Sequence, residues 1–408
     1  MKCGLLGAKL GHSYSPQIHS LLGDYAYRLF EKNPDELESF LKNSDFSGIN
    51  VTIPYKSSVI PYCEELSPIA SRLGAVNVIV RRENKKLIGH NTDYFGFQTM
   101  LQRSGLDVSG KKVLVLGTGG ASKTAVAVLE DHGAQVITIS RSGENNYSNL
   151  EHHADTSVIV NTTPVGMFPN TGDAPVSLDT FPQLEGVLDV IYNPARTQLL
   201  LDAQRRGIVT MNGLLMLVAQ AKEAAEWFTG KPIADSKIDE IYVHLRKQME
   251  NIVLIGMPGS GKTTVGRLLA VQLGKEFLDT DALIAEKAGC TIPEIFETQG
   301  EAGFRKIETQ VLREIGNLSG KVIATGGGCV TREENYPLLH QNGMIFCLKR
   351  KLSCLSTDGR PLSQANPLEE LYRIRKPLYE RFADHSIDNN RTAGEAADEI
   401  LRIWEERT

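Results

Sequence analysis

The sequence lacks the features that mark several classes of protein. Among its 408 residues no apolar run approaches the ~18 that a membrane-spanning helix needs. The first nine residues carry a charge too early, and an apolar stretch too short, for a secretory signal. Lys and Arg total 44 against 49 Asp and Glu, a net charge of −5, so the positive charge typical of a nucleic-acid binder is missing. We therefore expect small-molecule ligands and neither a nucleic acid nor a membrane as partner.

Cysteine pairing is also missing. The six cysteines include no CxxC pair and have no companion histidine at the spacing of a zinc site. Free thiols in a reducing cytoplasm are the expected state. With 41% hydrophobic and 23% charged residues, the composition is that of a folded globular protein. The length predicts two or three domains, and no repeat or low-complexity tract divides them.

Short apolar runs alternate with helical periodicity, which predicts an α/β protein with parallel sheets. One example is a strand at 112–116, a helix at 121–132 and a strand at 135–139. Two glycine-rich strand-to-helix turns, at 117–121 and 256–263, each normally open a nucleotide-binding domain. We place the major boundary between residues 249 and 250. Before it we expect a substrate part (about 1–94 and 214–249) around a Rossmann part (about 95–213), and after it a P-loop domain with helices on both faces of its sheet.

The second turn is a complete G-x-x-x-x-G-K-T motif at 256–263, between an apolar strand and a helical run at 264–273. Its glycines let backbone N–H groups point at phosphates, Lys262 reaches the outer phosphates and the Thr263 hydroxyl coordinates Mg²⁺. Asp279 and Asp281 end the next strand on one face, so one could serve the metal while the other receives a hydroxyl. No aspartate closes a later apolar strand, so a standard Walker B is missing.

The ordered motifs of residues 250–408 resemble shikimate kinase. They are the P-loop, Asp-Thr-Asp at 279–281, Gly-Phe-Arg-Lys-Ile-Glu at 303–308, Thr-Gly-Gly-Gly at 325–328, Gly-Arg-Pro-Leu at 359–362 and Arg-Lys-Pro-Leu-Tyr at 375–379. The resemblance implies a shikimate site made of Asp281, Arg305, Gly327 and Arg375. It implies an ATP site made of Gly259, Ser260, Gly261, Lys262, Thr263, Thr264, Arg360 and Arg391, the Arg360 side chain coming from a lid. It also implies that Thr263 and Asp279 hold Mg²⁺ and that Asp281 orients or deprotonates the 3-hydroxyl.

The first turn, at 117–122, has Rossmann context, but Ser122 replaces the third glycine of G-x-G-x-x-G. Arg141 follows the next strand, where an acidic residue would receive the ribose hydroxyls of NAD and an arginine suits the 2′-phosphate of NADP. No second basic residue supports this preference for NADP, because the acidic residue Glu144 follows shortly after Arg141.

Polar motifs around this turn form an ensemble that resembles shikimate dehydrogenase through residue 248. The motifs are Gly-His-Ser-Tyr-Ser-Pro at 11–16, Asn-Val-Thr-Ile-Pro-Tyr-Lys at 50–56, Gly-Ala-Val-Asn at 74–77 and Gly-His-Asn-Thr-Asp at 89–93. The resemblance implies a substrate site made of Ser13, Ser15, Thr52, Asn77, Tyr192 and Gln220, with Lys56 and Asp93 as the catalytic pair. It implies a cofactor site made of Gly117, Thr118, Gly119, Gly120, Ala121, Ser140, Arg141 and Gly213.

Together these features predict a bifunctional enzyme of aromatic amino-acid biosynthesis. The first half would reduce 3-dehydroshikimate with NADPH, and the second would phosphorylate the new 3-hydroxyl with ATP and Mg²⁺. Two alternatives stay open. The first half could be a NAD-preferring quinate/shikimate dehydrogenase, or one half could be a degenerate module that binds shikimate and only stabilises or regulates its partner.

Overall fold

Three β-sheets organise the chain in a computed structural model that describes residues 1–11, 13–83, 85–355 and 368–406. The chain divides into two compact units, each of α/β structure, so the predicted fold class is confirmed. The first unit comprises Met1–Met167, Asp173–Tyr192 and Leu199–His244. The second comprises Phe168–Gly172, Asn193–Gln198 and Leu245–Thr408. The domain limits expected from the sequence, with a boundary between residues 249 and 250, stay a prediction.

The first sheet lies in the amino-terminal part of the first unit, with the strand order β2-β1-β3-β5-β6-β4. Its strands are β1 (Lys2–Gly7), β2 (Ala26–Glu31), β3 (Gly48–Val51), β4 (Glu65–Leu66), β5 (Val78–Arg81) and β6 (Leu87–His90). Only β5 runs antiparallel to both of its neighbours. The accompanying helices are α1 (Ser15–Leu22), α2 (Leu37–Asn43), α3 (Pro68–Leu73), α4 (Asp93–Ser104) and α7 (Leu214–Thr229). Because α7 returns to this sheet late in the chain, it brings residues near 213–221 beside loops that are distant in sequence.

The second sheet is fully parallel, with the order β11-β10-β9-β7-β8. Its strands are β7 (Lys112–Leu116), β8 (Gln135–Ile139), β9 (Val158–Asn161), β10 (Gly186–Asp189) and β11 (Val209–Asn212). Helices α5 (Gly120–Asp131) and α6 (Gln198–Arg205) accompany it. Residues 113–116 of β7 are fully buried, as a central parallel strand requires, which explains their uninterrupted apolar run.

The third sheet belongs to the second unit and is also parallel, with the order β13-β14-β12-β15-β16. Its strands are β12 (Asn251–Ile255), β13 (Glu276–Asp279), β14 (Lys321–Ala324), β15 (Gly343–Lys349) and β16 (His385–Asp388). Helix α8 (Ser236–Met249) begins in the first unit and ends in the second. The other helices are α9 (Lys262–Leu273), α10 (Thr280–Ala288), α11 (Ile292–Gly316), α12 (Asn335–His340), α13 (Leu368–Phe382) and α14 (Ala393–Glu406). Helix α11 bends at Gly300, whose φ of 68° lies in the left-handed region that glycine tolerates. Within the described ranges, no helix is both long and apolar enough to cross a bilayer.

Candidate active sites

A cavity of about 310 Å³ in the first unit brings together eight residues that the sequence predicts to act on substrate. They come from the loop before α1 and its first residue, the segment after β3, the loop before β5, the start of α4, the segment after β10 and the middle of α7. The eight are Ser13, Ser15, Thr52, Lys56, Asn77, Asp93, Tyr192 and Gln220. Hydroxyl, amide, ammonium and carboxylate groups therefore face one enclosed space, which suits a small polyhydroxylated acid.

The two predicted catalytic side chains form an ion pair in this cavity. Lys56 Nζ lies 2.6 Å from Asp93 Oδ2, and the Asp93 side chain is 7% exposed. Asn77 Nδ2 donates a hydrogen bond to the other carboxylate oxygen, Asp93 Oδ1, at 3.0 Å. The backbone amide of Asp93 donates in turn to Asn91 Oδ1 at 2.9 Å. Contacts on both sides thus fix the carboxylate, and through it the ammonium group that a reacting oxygen would meet.

Two further polar residues line the cavity although the sequence did not single them out, Asn50 and His19. Asn50 Oδ1 accepts a hydrogen bond from the Tyr27 hydroxyl at 2.8 Å, and the His19 ring stacks on Tyr27 with centroids 4.0 Å apart. Burial lowers the pKa of His19 to about 3, so the ring is neutral. Period-two alternation could have identified Asn50, because it lies in β3 two residues before Thr52, a spacing that points side chains to the same side of an extended chain. No comparable signal marks His19, since a lone histidine in a helix is usually structural.

A second cleft of the first unit, about 640 Å³ in volume, contains most of the residues predicted to bind the dinucleotide. Gly117, Thr118, Gly119, Ser140 and Arg141 line it, together with the apolar side chains of Val165, Ala174 and Pro175. Gly117 has φ of 106°, and a Cβ there would lie 3.0 Å from Thr162 Oγ1, so the turn requires glycine. A glycine turn that opens a helix and ends beside an arginine fits the phosphates of a dinucleotide.

The irregular glycine motif has a structural explanation. Ser122, at the position of the third glycine, is buried, and its hydroxyl donates to the Gly117 carbonyl at 2.7 Å, which closes the turn. Gly120 is the first residue of α5. Ala121 and Gly213 line the substrate cavity instead of the dinucleotide cleft. A Cβ on Gly213 would lie 2.0 Å from the Val190 carbonyl oxygen, so this position admits only glycine.

The second unit has its own polar cavity, with a volume of about 350 Å³. It contains the predicted residues Gly259, Gly261, Lys262, Thr263, Thr264, Asp279, Asp281, Arg305, Gly327 and Arg375. The P-loop end of β12, the end of β13 and the glycines after β14 all meet here because the carboxyl ends of parallel strands share one edge of the sheet. A phosphate-binding loop, three carboxylates and three arginines therefore surround one space.

The predicted metal ligands are in contact. Thr263 Oγ1 donates to Asp279 Oδ2 at 2.9 Å, and the other oxygen, Asp279 Oδ1, accepts from the Asp281 backbone amide at 3.1 Å. A hydroxyl beside a carboxylate at the start of α9 is an oxygen donor set that suits Mg²⁺. Lys262 Nζ donates to the carbonyl oxygens of Gly256 and Met257 at 2.9 and 3.0 Å, which folds the lysine over its own loop.

Arg305 has a buried partner that the sequence did not identify. Arg305 NH1 donates to Glu308 Oε2 at 2.7 Å, and the Glu308 side chain is fully buried. Burial raises the pKa of Glu308, although the Arg305 charge opposes that shift. A Cβ at Gly328 would lie 2.0 Å from Arg305 NH2, so a side chain at this position would displace the guanidinium group. The spacing of three residues between Arg305 and Glu308 predicts that they form an ion pair on one face of α11, but an ion pair on the protein surface has the same spacing.

Two predicted ATP-site residues, Ser260 and Arg391, do not line the described cavity. Ser260 is buried within the P-loop, where its carbonyl accepts from Asn389 Nδ2 at 2.7 Å. The Arg391 side chain is 82% exposed and lies 3.8 Å from Glu395, and it does not line the described cavity. Arg360 lies outside the described residues. Arg375 NH1 donates to the Gly327 carbonyl at 3.3 Å, which links two of the residues expected at the shikimate site.

Comparison with known proteins finds a different enzyme family in each of two parts of the chain. A family model described as the shikimate dehydrogenase substrate-binding domain matches residues 5–79, and one described as shikimate kinase matches residues 258–405. The NADP(+) shikimate dehydrogenase of Clostridium perfringens (strain SM101) is 37% identical over 265 residues, 60% of this chain and 97% of that protein.

Solved structures give the same result for the first unit. Shikimate dehydrogenase 1 from Peptoclostridium difficile is 40% identical with a TM-score of 0.55, over 60% of this chain and 97% of that one. A chorismate mutase/shikimate 5-dehydrogenase fusion protein from Clostridium acetobutylicum is 34% identical with a TM-score of 0.56, over the same shares of the two chains. Both resemblances seen in the sequence are thereby confirmed: the chain belongs to the shikimate dehydrogenase family, and it continues into a shikimate kinase domain.

Proposed function

We propose that this chain catalyses two consecutive reactions, the reduction of 3-dehydroshikimate to shikimate with NADPH and the phosphorylation of shikimate by ATP to shikimate 3-phosphate. One observation carries the proposal: in each unit, the side chains predicted to bind and activate shikimate or 3-dehydroshikimate line one cavity. The second reaction acts on the oxygen atom that the first converts from ketone to hydroxyl, which gives the fusion a chemical rationale.

In the first cavity, Lys56 and Asp93 carry the proton chemistry of the reduction. NADPH, when bound, supplies the hydride. The Lys56 ammonium donates a proton to the developing alkoxide at the 3-position, and the Asp93 carboxylate holds that ammonium in place. Ser13 and Ser15 offer hydroxyl donors to the substrate carboxylate. In the reverse direction the neutral lysine accepts the proton of the alcohol.

The cofactor preference depends on Arg141. Its guanidinium lines the dinucleotide cleft and can form a bidentate pair with the 2′-phosphate of NADP. The structure thus offers a cationic group where NAD-dependent enzymes have a carboxylate. Glu144 lies close to Arg141 in sequence, and a carboxylate in this region would suit the ribose hydroxyls of NAD. Kinetics with NADH against NADPH decide between the two cofactors.

In the second cavity, Arg305 and Arg375 are placed to grip the shikimate carboxylate, and Asp281 is placed to accept the proton of the 3-hydroxyl. Lys262 and the P-loop amides neutralise the phosphates of ATP. Mg²⁺, which Thr263 and Asp279 would hold, supplies additional neutralisation of phosphate charge. Phosphoryl transfer needs little covalent chemistry from the protein, so positioning and charge account for the roles of these residues.

All the ligands that this function requires, 3-dehydroshikimate, shikimate, NADPH and ATP, are small molecules. All six cysteines are free thiols, which supports the expected cytoplasmic location.

A coupled assay with single variants tests both activities. The wild-type chain supplied with 3-dehydroshikimate, NADPH and MgATP should form shikimate 3-phosphate. Lys56→Ala should abolish the oxidation of NADPH and leave phosphorylation of added shikimate unchanged, whereas Lys262→Ala should do the converse. Loss of both activities from one substitution, in a chain that remains folded, would count against two separate sites. Failure of one wild-type half-reaction would favour a degenerate module in that half.

A further inference from the structure

Arg350 stands beside the P-loop although none of the recognised motifs includes it. It is the first residue after β15, and β15 pairs with β12, the strand that leads into the P-loop. In that register Ile255 is opposite Cys347, so the carboxyl end of β15 extends past the point where the loop begins. The topology of the sheet therefore places Arg350 at the edge where phosphates bind in this class of fold.

The guanidinium group of Arg350 borders residues 259–261 of the loop. Its NH1 atom lies 3.5 Å from the Gly259 carbonyl oxygen and 3.9 Å from the position that a Cβ on Gly261 would occupy. The loop passes close to Arg350 at Gly261, whose φ of 93° is a backbone conformation that most other residues avoid. Arg350 also lines the cavity that contains Lys262 and Thr263.

The hydrogen-bonding capacity of Arg350 is largely unused. Within the described ranges its one hydrogen bond is the 3.5 Å contact to Gly259, near the limit for such a bond, and its buried Nε atom has no partner. A guanidinium carries five N–H donors. The other arginines of the cavity are engaged more closely, Arg305 with Glu308 and Arg375 with Gly327. An arginine held at the cavity wall with spare donors is suited to an anionic ligand.

We propose that Arg350 binds the phosphate chain of the nucleotide, as a second cation beside the P-loop in addition to Lys262. The ligand class is a nucleoside polyphosphate, and the inference rests on the kinase function proposed above. Because the contact is to the 259–261 side of the loop and not to the acceptor carboxylate Asp281, Arg350 should stabilise ATP and ADP alike. It is thus a binding residue, whose loss weakens nucleotide affinity more than it slows phosphoryl transfer.

The test measures MgADP binding to the full-length protein by titration calorimetry and the KM values of the kinase reaction. Arg350→Gln should weaken MgADP binding and raise the KM for ATP by about 10- to 100-fold, the factor expected for lost charge-assisted hydrogen bonds. Arg350→Lys, which keeps the charge but not the planar fork, should be intermediate. The KM for shikimate should stay within about twofold, which also shows that the kinase unit is folded.

Lys351→Gln is the matched control, since it removes one positive charge from an exposed neighbour. It should leave MgADP binding unchanged. Wild-type affinity in Arg350→Gln, or an equal loss in Lys351→Gln, would overturn the role of Arg350. A wild-type protein that does not bind MgADP at all would instead overturn the kinase function on which the role depends.

Discussion

Lys56 Nζ and Asp93 Oδ2 are 2.6 Å apart, the same distance as the Lys2–Asp45 pair of this chain, but the two pairs differ in their surroundings. The Lys2 and Asp45 side chains are 69% and 89% exposed, so water screens their interaction. Lys56 and Asp93 are 27% and 7% exposed, and Asn77 holds the carboxylate from its other side. Burial and a third residue thus preorganise the Lys56–Asp93 pair, as the proposed proton transfer requires.

Asp93→Asn should lower the kcat of the dehydrogenase by about 10²- to 10⁴-fold, the range for loss of acid–base catalysis. The amide keeps the shape of the side chain but no longer holds the Lys56 ammonium by charge. Steady-state kinetics with 3-dehydroshikimate and NADPH measure the effect, and the kinase activity of the same preparation should be unchanged. Asp45→Asn, at the exposed pair, is the control and should have no effect. Full activity in Asp93→Asn would exclude the carboxylate from the proton chemistry.

Arg141→Gln should change the cofactor preference of the dehydrogenase. Without the guanidinium, the extra phosphate of NADPH loses a charge-assisted partner, so kcat/KM with NADPH should fall by about 10-fold or more. With NADH it should change by less than about twofold. Comparison of the two ratios in one preparation removes any general loss of activity. Equal losses with both cofactors would show that Arg141 supports the fold of the cleft and not the recognition of the phosphate.

The sequence predicts local parts of these sites more successfully than parts assembled from distant segments. The P-loop is contiguous, so its strand, turn and helix are visible without a structure. Lys56 and Asp93 are 37 residues apart, and only the resemblance to a family paired them. Ala121 and Gly213 line the substrate cavity, which their positions along the chain do not reveal, and their contact with the cofactor stays a prediction.

Glu308 and Arg350 show the same limit in the second unit. A glutamate three residues after an arginine on a helix usually marks a solvated ion pair, and a basic residue after a strand usually marks a surface loop. The burial of Glu308 and the position of Arg350 beside the P-loop follow from packing and strand order. Neither depends on local sequence.

Glu308→Gln should raise the KM of the kinase for shikimate by about 10-fold or more, because Arg305 loses the buried charge that orients it. MgADP affinity should be unchanged, which shows that the rest of the cavity is intact. Glu301→Gln is the matched control: Glu301 also contacts Arg305, at 3.2 Å, but its side chain is 51% exposed. Its effect should stay below about fivefold. Equal effects of the two substitutions would contradict a special role for the buried partner.

Lys275 should make the stability of the second unit depend on pH in the alkaline range. Its Nζ donates to the carbonyl oxygens of Lys247 and Glu250 at 2.8 and 2.6 Å, and burial lowers its pKa from 10.5 to about 8. Between about pH 8 and 10.5 the unfolded chain therefore binds a proton that the folded chain has lost. The free energy of unfolding should rise with pH through this window, by a contribution on the order of 3 kcal/mol that is absent at neutral pH.

Lys275→Met isolates that contribution, because the difference between the wild-type and variant profiles cancels the other titrating groups. Urea unfolding can be followed by the fluorescence of Trp404, whose ring centroid lies 5.2 Å from Lys275 Nζ, in a Trp227→Phe background that removes the other tryptophan. The wild-type free energy of unfolding should increase relative to that of the variant as the pH rises from 7.5 to about 10. Parallel profiles would mean that the lysine keeps an ordinary affinity for its proton, and a relative decrease would mean that its carbonyl partners stabilise the ammonium form more than burial disfavours it.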